Sequence, residues 1–154
     1  MNHNIAIKLT LEGLQKLKNE LAELEEVKRP SAVERLAQAR SMGDLAENND
    51  YIQAKEELGL IDGRIAELKE IISRAQVIQS CNHVAVDIGS HVTVKIDGRQ
   101  QIFSIVGEWE ADPIKQKISH QSPLGQALLG KKVGDEVEFD APVGKVKYRI
   151  VSIS

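Results

Sequence analysis

A chain of 154 residues holds one ordinary domain or two small ones and excludes a large enzyme core. Its content of 42% hydrophobic and 28% charged residues favours folding in solution, but only 3% are aromatic, so the core must be built from Leu, Ile, Val and Ala, which suits helix–helix seams. A formal charge of −3 excludes a broad basic surface that binds DNA or RNA unaided. Cys81 is the only cysteine, which rules out an intrachain disulfide and a cysteine zinc cluster, and His3, His83, His91 and His120 fall in no metal-ligand spacing. Met1 to Lys8 lacks the basic start and apolar run of a signal peptide. No apolar run is long enough to span a bilayer, so a cytoplasmic protein without a membrane partner is expected.

The first half reads as helix. Thr10 is a candidate cap, followed by Leu14, Leu17, Leu21 and Leu24 at steps of three and four. Pro30 removes a backbone donor and crowds the preceding turn, so a kink is expected there, with Ser31-Ala32-Val33-Glu34 as a capping box if the helix restarts. Val33, Leu36 and Ala39 carry the apolar face on to Arg40. The strong breaker Ser41-Met42-Gly43-Asp44 then turns the chain back. Tyr51, Ala54, Leu58, Ile61, Ile65, Leu68, Ile72 and Ala75 alternate steps of three and four, the a/d seam of an antiparallel coiled coil. An arm of about 30 residues, rising ~1.5 Å per residue, reaches roughly 45 Å. Two helices alone bury one seam and enclose no pocket, so the arm reads as a probe.

After Ala75 the period changes to two. Val92 to Ile96 and Gln101 to Val106 flank an Asp97-Gly98 hairpin turn, and Lys115 to Ser119 is a candidate third strand. Ser122-Pro123 caps and starts a short helix over Leu124 to Leu129, closed by Gly130. Glu136 to Asp140 and Val146 to Ile153 alternate around Pro142-Val143-Gly144. The fold class is α+β: a two-helix hairpin over 1–78, then a small domain over 79–154 with an antiparallel sheet and one short helix.

The turn between the helices, Gly43-Asp44-Leu45-Ala46-Glu47-Asn48-Asn49-Asp50-Tyr51, carries three acids. Asp44 and Glu47 have the spacing of a capping box, with Asp44 accepting from the backbone and Glu47 reaching back. A cap needs no long arm, however, and a second folded domain at the base of a probe suits docking. The competing reading therefore makes Asp44 and Glu47 paired carboxylates presented to another molecule.

The turn motif, with Arg40 ahead of it and Tyr51 behind, resembles the tip motif of the bacterial transcript cleavage factors of the GreA/GreB family. The segment Ser122-Pro123-Leu124-Gly125-Gln126-Ala127-Leu128-Leu129-Gly130-Lys131-Lys132-Val133-Gly134-Asp135 resembles the family's C-terminal signature. The motifs stand in the family's order, and the hairpin shows no large basic excess of the GreB kind. The resemblance implies a coiled-coil hairpin followed by an FKBP-like domain, and RNA polymerase as partner, with its secondary channel admitting the arm. It further implies that Asp44 and Glu47 act as catalytic carboxylates in trans, sharing Mg²⁺ with the polymerase active site when the enzyme has backtracked. The polymerase, not this protein, then hydrolyses the RNA 3′ end. Hard Mg²⁺ prefers carboxylate and phosphate oxygens, and a second metal turns a polymerising site hydrolytic. Asp44 is expected to face the metal and Glu47 the attacking water. The free protein, a monomer by expectation, should hold Mg²⁺ poorly.

By the same resemblance Arg40 and Lys55 are expected to contact the extruded RNA 3′ segment, though a solvated helix face explains them equally. Tyr51 either packs in the seam or stacks near the RNA. Ser122 and Pro123 are expected at the polymerase rim as well as in the helix cap. Asn49-Asp50 departs from the commonest motif, which has a small residue and then Glu. Two rival functions stand beside this one. One is a channel-binding regulator without cleavage stimulation, such as the inhibitory relatives and the DksA proteins. The other is a prolyl isomerase or chaperone, disfavoured because Phe103, Trp109, Phe139 and Tyr148 are too few to line a proline pocket.

Overall fold

The computed structural model describes residues 6–43, 47–79 and 83–154. These form two compact units, one spanning Gln15–Arg74 and one joining the segment through Leu14 to Ala75–Ser154. The boundary drawn at 78/79 from sequence therefore moves. The cause is a short strand, β1 (Ile7–Leu9), which pairs in parallel with β2 (Ala75–Val77), so both ends of the hairpin belong to the second unit. Leu9 is fully buried, and its carbonyl accepts from the Ile78 N–H at 2.9 Å.

The helical unit is built from α1 (Leu11–Glu23), α2 (Arg29–Ser41) and α3 (Asn49–Ser73). Thr10 caps α1 as expected: the Gly13 N–H donates to its Oγ1 at 3.0 Å. Between α1 and α2 the chain does not stop. Leu24–Lys28 is a π-helical turn, in which the Arg29 N–H reaches back to the Leu24 carbonyl. Pro30 would otherwise crowd the carbonyl four residues earlier, and the wider turn makes room. The expected restart at Ser31 is absent, because the N-cap position is Lys28, already helical and without a side-chain cap bond.

The π-turn also resets the seam. Leu17 and Leu24 are buried, but the next buried position is Ala32, eight residues on (32 − 24) where a heptad gives seven. One extra residue in the wide turn absorbs the difference. As a result Ala32, Leu36 and Ala39 face inward and Val33, expected in the seam, is 41% exposed. On α3 the inward row is Ala54, Leu58, Ile61, Ile65, Leu68 and Ile71/Ile72. The antiparallel pairing is fixed by partners whose numbers fall as the others rise: Glu25–Lys69 (2.6 Å), Arg29–Asp62 (2.7 Å), Arg35–Glu57 (2.5 Å). Such exposed pairs are worth little each, about 0.2–1 kcal/mol, so they select register more than they stabilise. Arg64, held by Glu20 and then by Glu67, has its guanidinium pKa raised further above the usual range.

Two glycines interrupt the outer face of α3. A Cβ at Gly59 or Gly63 would meet nothing within 4 Å. Each leaves the unfolded chain extra freedom that the helix must remove, so Gly59→Ala and Gly63→Ala should each stabilise the hairpin by about 0.5–1 kcal/mol. Urea unfolding followed by helical circular dichroism reads this as a raised midpoint; a lowered midpoint would contradict it.

The second unit carries a five-stranded sheet in the order β5-β4-β3-β7-β6. Its strands are β3 (His91–Ile96), β4 (Arg99–Val106), β5 (Lys117–Ser119), β6 (Glu136–Ala141) and β7 (Gly144–Ile153), with α4 (Pro123–Leu128) between β5 and β6. The β3–β4 turn puts Asp97 at φ 45° and Gly98 at φ 79°, the double left-handed conformation that Asp-Gly signals. The expectation of an all-antiparallel sheet fails at one edge, where β5 runs parallel to β4. The chain between them is long enough to cross over, through helical turns at Glu108–Glu110 and Pro113–Lys115. The core collects Val86, Ile88, Val92, Val94, Ile105, Leu128, Val137, Ile150 and Ile153. Tyr148 stacks on Phe139 (5.6 Å, 13°) and meets Phe103 edge-on (6.0 Å, 85°). Trp109 is 44% exposed.

Candidate functional site at the hairpin turn

The turn begins where α2 runs out of partners. The Ser41 hydroxyl donates to the Gln38 carbonyl at 2.6 Å and the Met42 N–H to the Ala39 carbonyl at 3.2 Å, tightening the last turn. Gly43 then takes φ 134°, a conformation only glycine adopts readily, in open space. Residues 44–46, including Asp44, lie outside the described residues. The chain returns at Glu47, an exposed turn residue that precedes α3.

The cap of α3 is Asn48, not Asp44. Asn48 is extended (φ −86°, ψ 96°), and its Oδ1 accepts from the Tyr51 N–H at 3.1 Å. A capping box on Asp44 requires Glu47 inside the first helical turn; Glu47 instead stands one residue before the cap. Glu47 is exposed, and the cap bond of α3 is made by Asn48. Asn49 and Asp50 occupy the first helical turn, both exposed, and Asp50 places a negative charge at the positive helix end. The departure from the commonest motif thus falls on helix-start positions.

Arg40 and Tyr51, singled out separately in the sequence, meet: the guanidinium carbon lies 5.9 Å from the ring centroid. Tyr51 is half-buried. Lys55 is exposed one turn farther along α3. Among the described residues no three His, Cys, Asp or Glu side chains gather closely enough to hold a metal. Glu47 supplies hard carboxylate oxygens of the kind Mg²⁺ takes, which suits a contribution to a metal site completed by other donors.

In the second unit, Ser122 caps α4: its Oγ accepts from the Gly125 N–H at 3.0 Å and donates to the Ser119 carbonyl at 2.7 Å. Pro123 follows at the first helical position, exposed. A hollow of about 350 Å³ in this unit is lined by residues including Thr10, Ile78, His91, Ser104 and Lys117, with no Phe, Tyr or Trp among its lining. Phe103, Phe139 and Tyr148 are packed on one another instead.

Sequence reasoning missed two features. Glu110 holds the start of α1, accepting from the Thr10 N–H at 2.8 Å and from the Thr10 hydroxyl, across a sequence separation of 100. No local pattern signals a bond of that range. Asn48 was legible as a preferred cap residue just ahead of a seam, but the Asp-x-x-Glu spacing drew the assignment four residues upstream.

Two family descriptions match. "Transcription elongation factor, N-terminal" covers residues 7–77, and "Transcription elongation factor, GreA/GreB, C-term" covers residues 82–154. Transcription elongation factor GreA of Thermoanaerobacter pseudethanolicus is 44% identical over 149 residues, covering 94% of this chain and 95% of that protein. The Clostridium acetobutylicum GreA is also 44% identical, covering 94% of each chain. The crystal structure of GreA factor homolog 1 from Thermus thermophilus is 31% identical, covers 97% of this chain and 99% of its own, and has a TM-score of 0.46. With both halves matched in order and curated relatives aligned over nearly the full length, this chain belongs to the GreA/GreB family of transcription elongation factors.

Proposed function

We propose that the protein binds RNA polymerase, inserts its hairpin turn into the secondary channel and stimulates the polymerase to cleave the 3′ end of backtracked RNA. The observation that carries this reading is the position of Glu47: an exposed carboxylate at the hairpin turn, released from helix capping because Asn48 performs that task. The protein is not an enzyme by itself. Its turn supplies carboxylates to a site whose remaining donors belong to the polymerase. Mg²⁺ bound there would neutralise charge on the scissile phosphate and lower the pKa of a coordinated water. Asp44 is assigned to hold the shared metal. Glu47, one methylene longer, orients the attacking water and accepts its proton as the phosphodiester bond breaks, leaving a new RNA 3′ end in register.

Arg40 and Lys55 attract the extruded RNA, and the tyrosine beneath Arg40 keeps that cation near the turn. Arg40→Ala with Lys55→Ala should weaken cleavage and reduce its salt sensitivity, since each lost phosphate contact removes about one released counterion. Cleavage unchanged in rate and salt dependence would assign both to a solvated face. Ser122 and Pro123 meet the channel rim, and the factor acts as a cytoplasmic monomer. The direct test is polymerase stalled on labelled RNA. Release of short 3′ fragments above the polymerase-alone rate supports the proposal; channel binding without release would make the protein a non-cleaving regulator.

A further inference from the structure

Asn48 does more than cap a helix. Its side-chain amide has an acceptor and a donor end, and the fold uses both. While Oδ1 accepts from the Tyr51 N–H at 3.1 Å, Nδ2 donates to the Ala39 carbonyl at 2.7 Å, nine residues back in the last turn of α2. One side chain thus bridges the C-terminal end of α2 and the N-terminal end of α3. The reverse orientation would set two acceptors against each other at Ala39 and two donors at Tyr51, so the network fixes which atom faces which helix. The Ala39 carbonyl accepts from the Met42 N–H as well, which ties the start of the turn to the same atom.

We infer that Asn48 is the positioning residue of the hairpin turn, holding its two ends at one spacing so that Glu47, its covalent neighbour, projects in a fixed direction. The inference rests on the functional reading above. Few side chains can replace it. Aspartate caps well but has no donor for the Ala39 carbonyl. Serine has one short oxygen that cannot span both ends, and alanine loses both bonds. A carboxylate displaced by about 1 Å from a reacting atom costs on the order of 10²-fold in rate, so a bridge that leaves stability nearly unchanged when broken still governs activity.

Asn48→Asp keeps the cap and breaks the bridge, because it replaces the donor facing the Ala39 carbonyl by an acceptor; Asn48→Ala removes both bonds and controls for the charge that aspartate adds. With polymerase affinity measured by competition, both variants should bind within about twofold of wild type, while cleavage at saturating factor falls at least about tenfold. The loss lies in the maximal rate, not in half-saturation. In the free proteins, amide hydrogen exchange should show Tyr51 protected in wild type and Asn48→Asp but not in Asn48→Ala, with the Met42 amide, which donates to the same Ala39 carbonyl, exchanging faster in both variants. Wild-type maximal cleavage by Asn48→Asp would overturn the inference. If the wild-type protein itself stimulates no cleavage, the functional reading fails. The exchange data then decide the inference alone: an unaltered Met42 amide in Asn48→Asp overturns it and a faster one supports it.

Discussion

Glu47→Gln should lower transcript cleavage at saturating factor by about 10²–10⁴-fold, the usual contribution of a positioned general base. Binding to the polymerase should be unaffected. The substitution keeps the shape of the side chain and removes the charge and the proton acceptor. Glu47 is exposed and outside α3, and the helix keeps its Asn48 cap. Stability should therefore stay within about 0.5 kcal/mol of wild type. Were Glu47 a capping-box residue, the same change would lower the unfolding midpoint and leave cleavage nearly intact. Asp44→Asn should lose cleavage comparably through the metal. Labelled RNA in backtracked complexes, read beside thermal unfolding of each variant, separates the two outcomes.

The second large effect lies in the other unit. A Cβ at Gly125 would stand 2.0 Å from the Ser119 carbonyl oxygen and 3.0 Å from Ser122 Oγ. Gly125 is fully enclosed, and the obstructing atom is backbone, so a rotamer change cannot relieve it. Gly125→Ala should destabilise this unit by about 1–3 kcal/mol or more, the range of overpacked cores. The cap is strained with it, since the Gly125 N–H donates to Ser122 Oγ and any shift that relieves the Cβ moves that donor. Trp109, the single tryptophan, belongs to the same unit and reports its unfolding by fluorescence. A fall in midpoint of at least about 4 °C is expected, together with weaker polymerase affinity through the displaced Ser122-Pro123 turn. An unchanged midpoint would mean that α4 moves aside freely.

Much of the architecture follows from local rules. Steps of three and four placed most of the inward seam residues, and Asp97-Gly98 marked a hairpin because both residues must take positive φ. Ser122-Pro123 announced α4 through a cap oxygen and a preset φ. What failed depended on distant partners or on a count of one residue. β1 is three residues long and is stabilised by a strand beginning at Ala75, so its own sequence carries no period. The direction of β5 is set by the crossover, not by Lys117–Ser119 themselves. The π-turn adds a residue that moves the seam from Ser31, where a strict heptad puts it, to Ala32, and leaves Val33 outside it. At the hairpin turn the motif resemblance pointed to Asp44 and Glu47, while the spacing alone fitted a cap equally well. Only the location of Asn48 takes Glu47 out of the cap.

A hairpin turn that works inside the polymerase lies beside the RNA 3′ end. Met42 is 71% exposed at that turn and is not assigned to the chemistry. A photoreactive probe on Met42→Cys, with Cys81→Ser removing the only native cysteine, reports what lies next to it. In backtracked complexes the probe should crosslink to the extruded 3′ segment of the RNA and lose that crosslink once cleavage restores register. Crosslinks confined to polymerase protein, the same in backtracked and active complexes, would contradict the account.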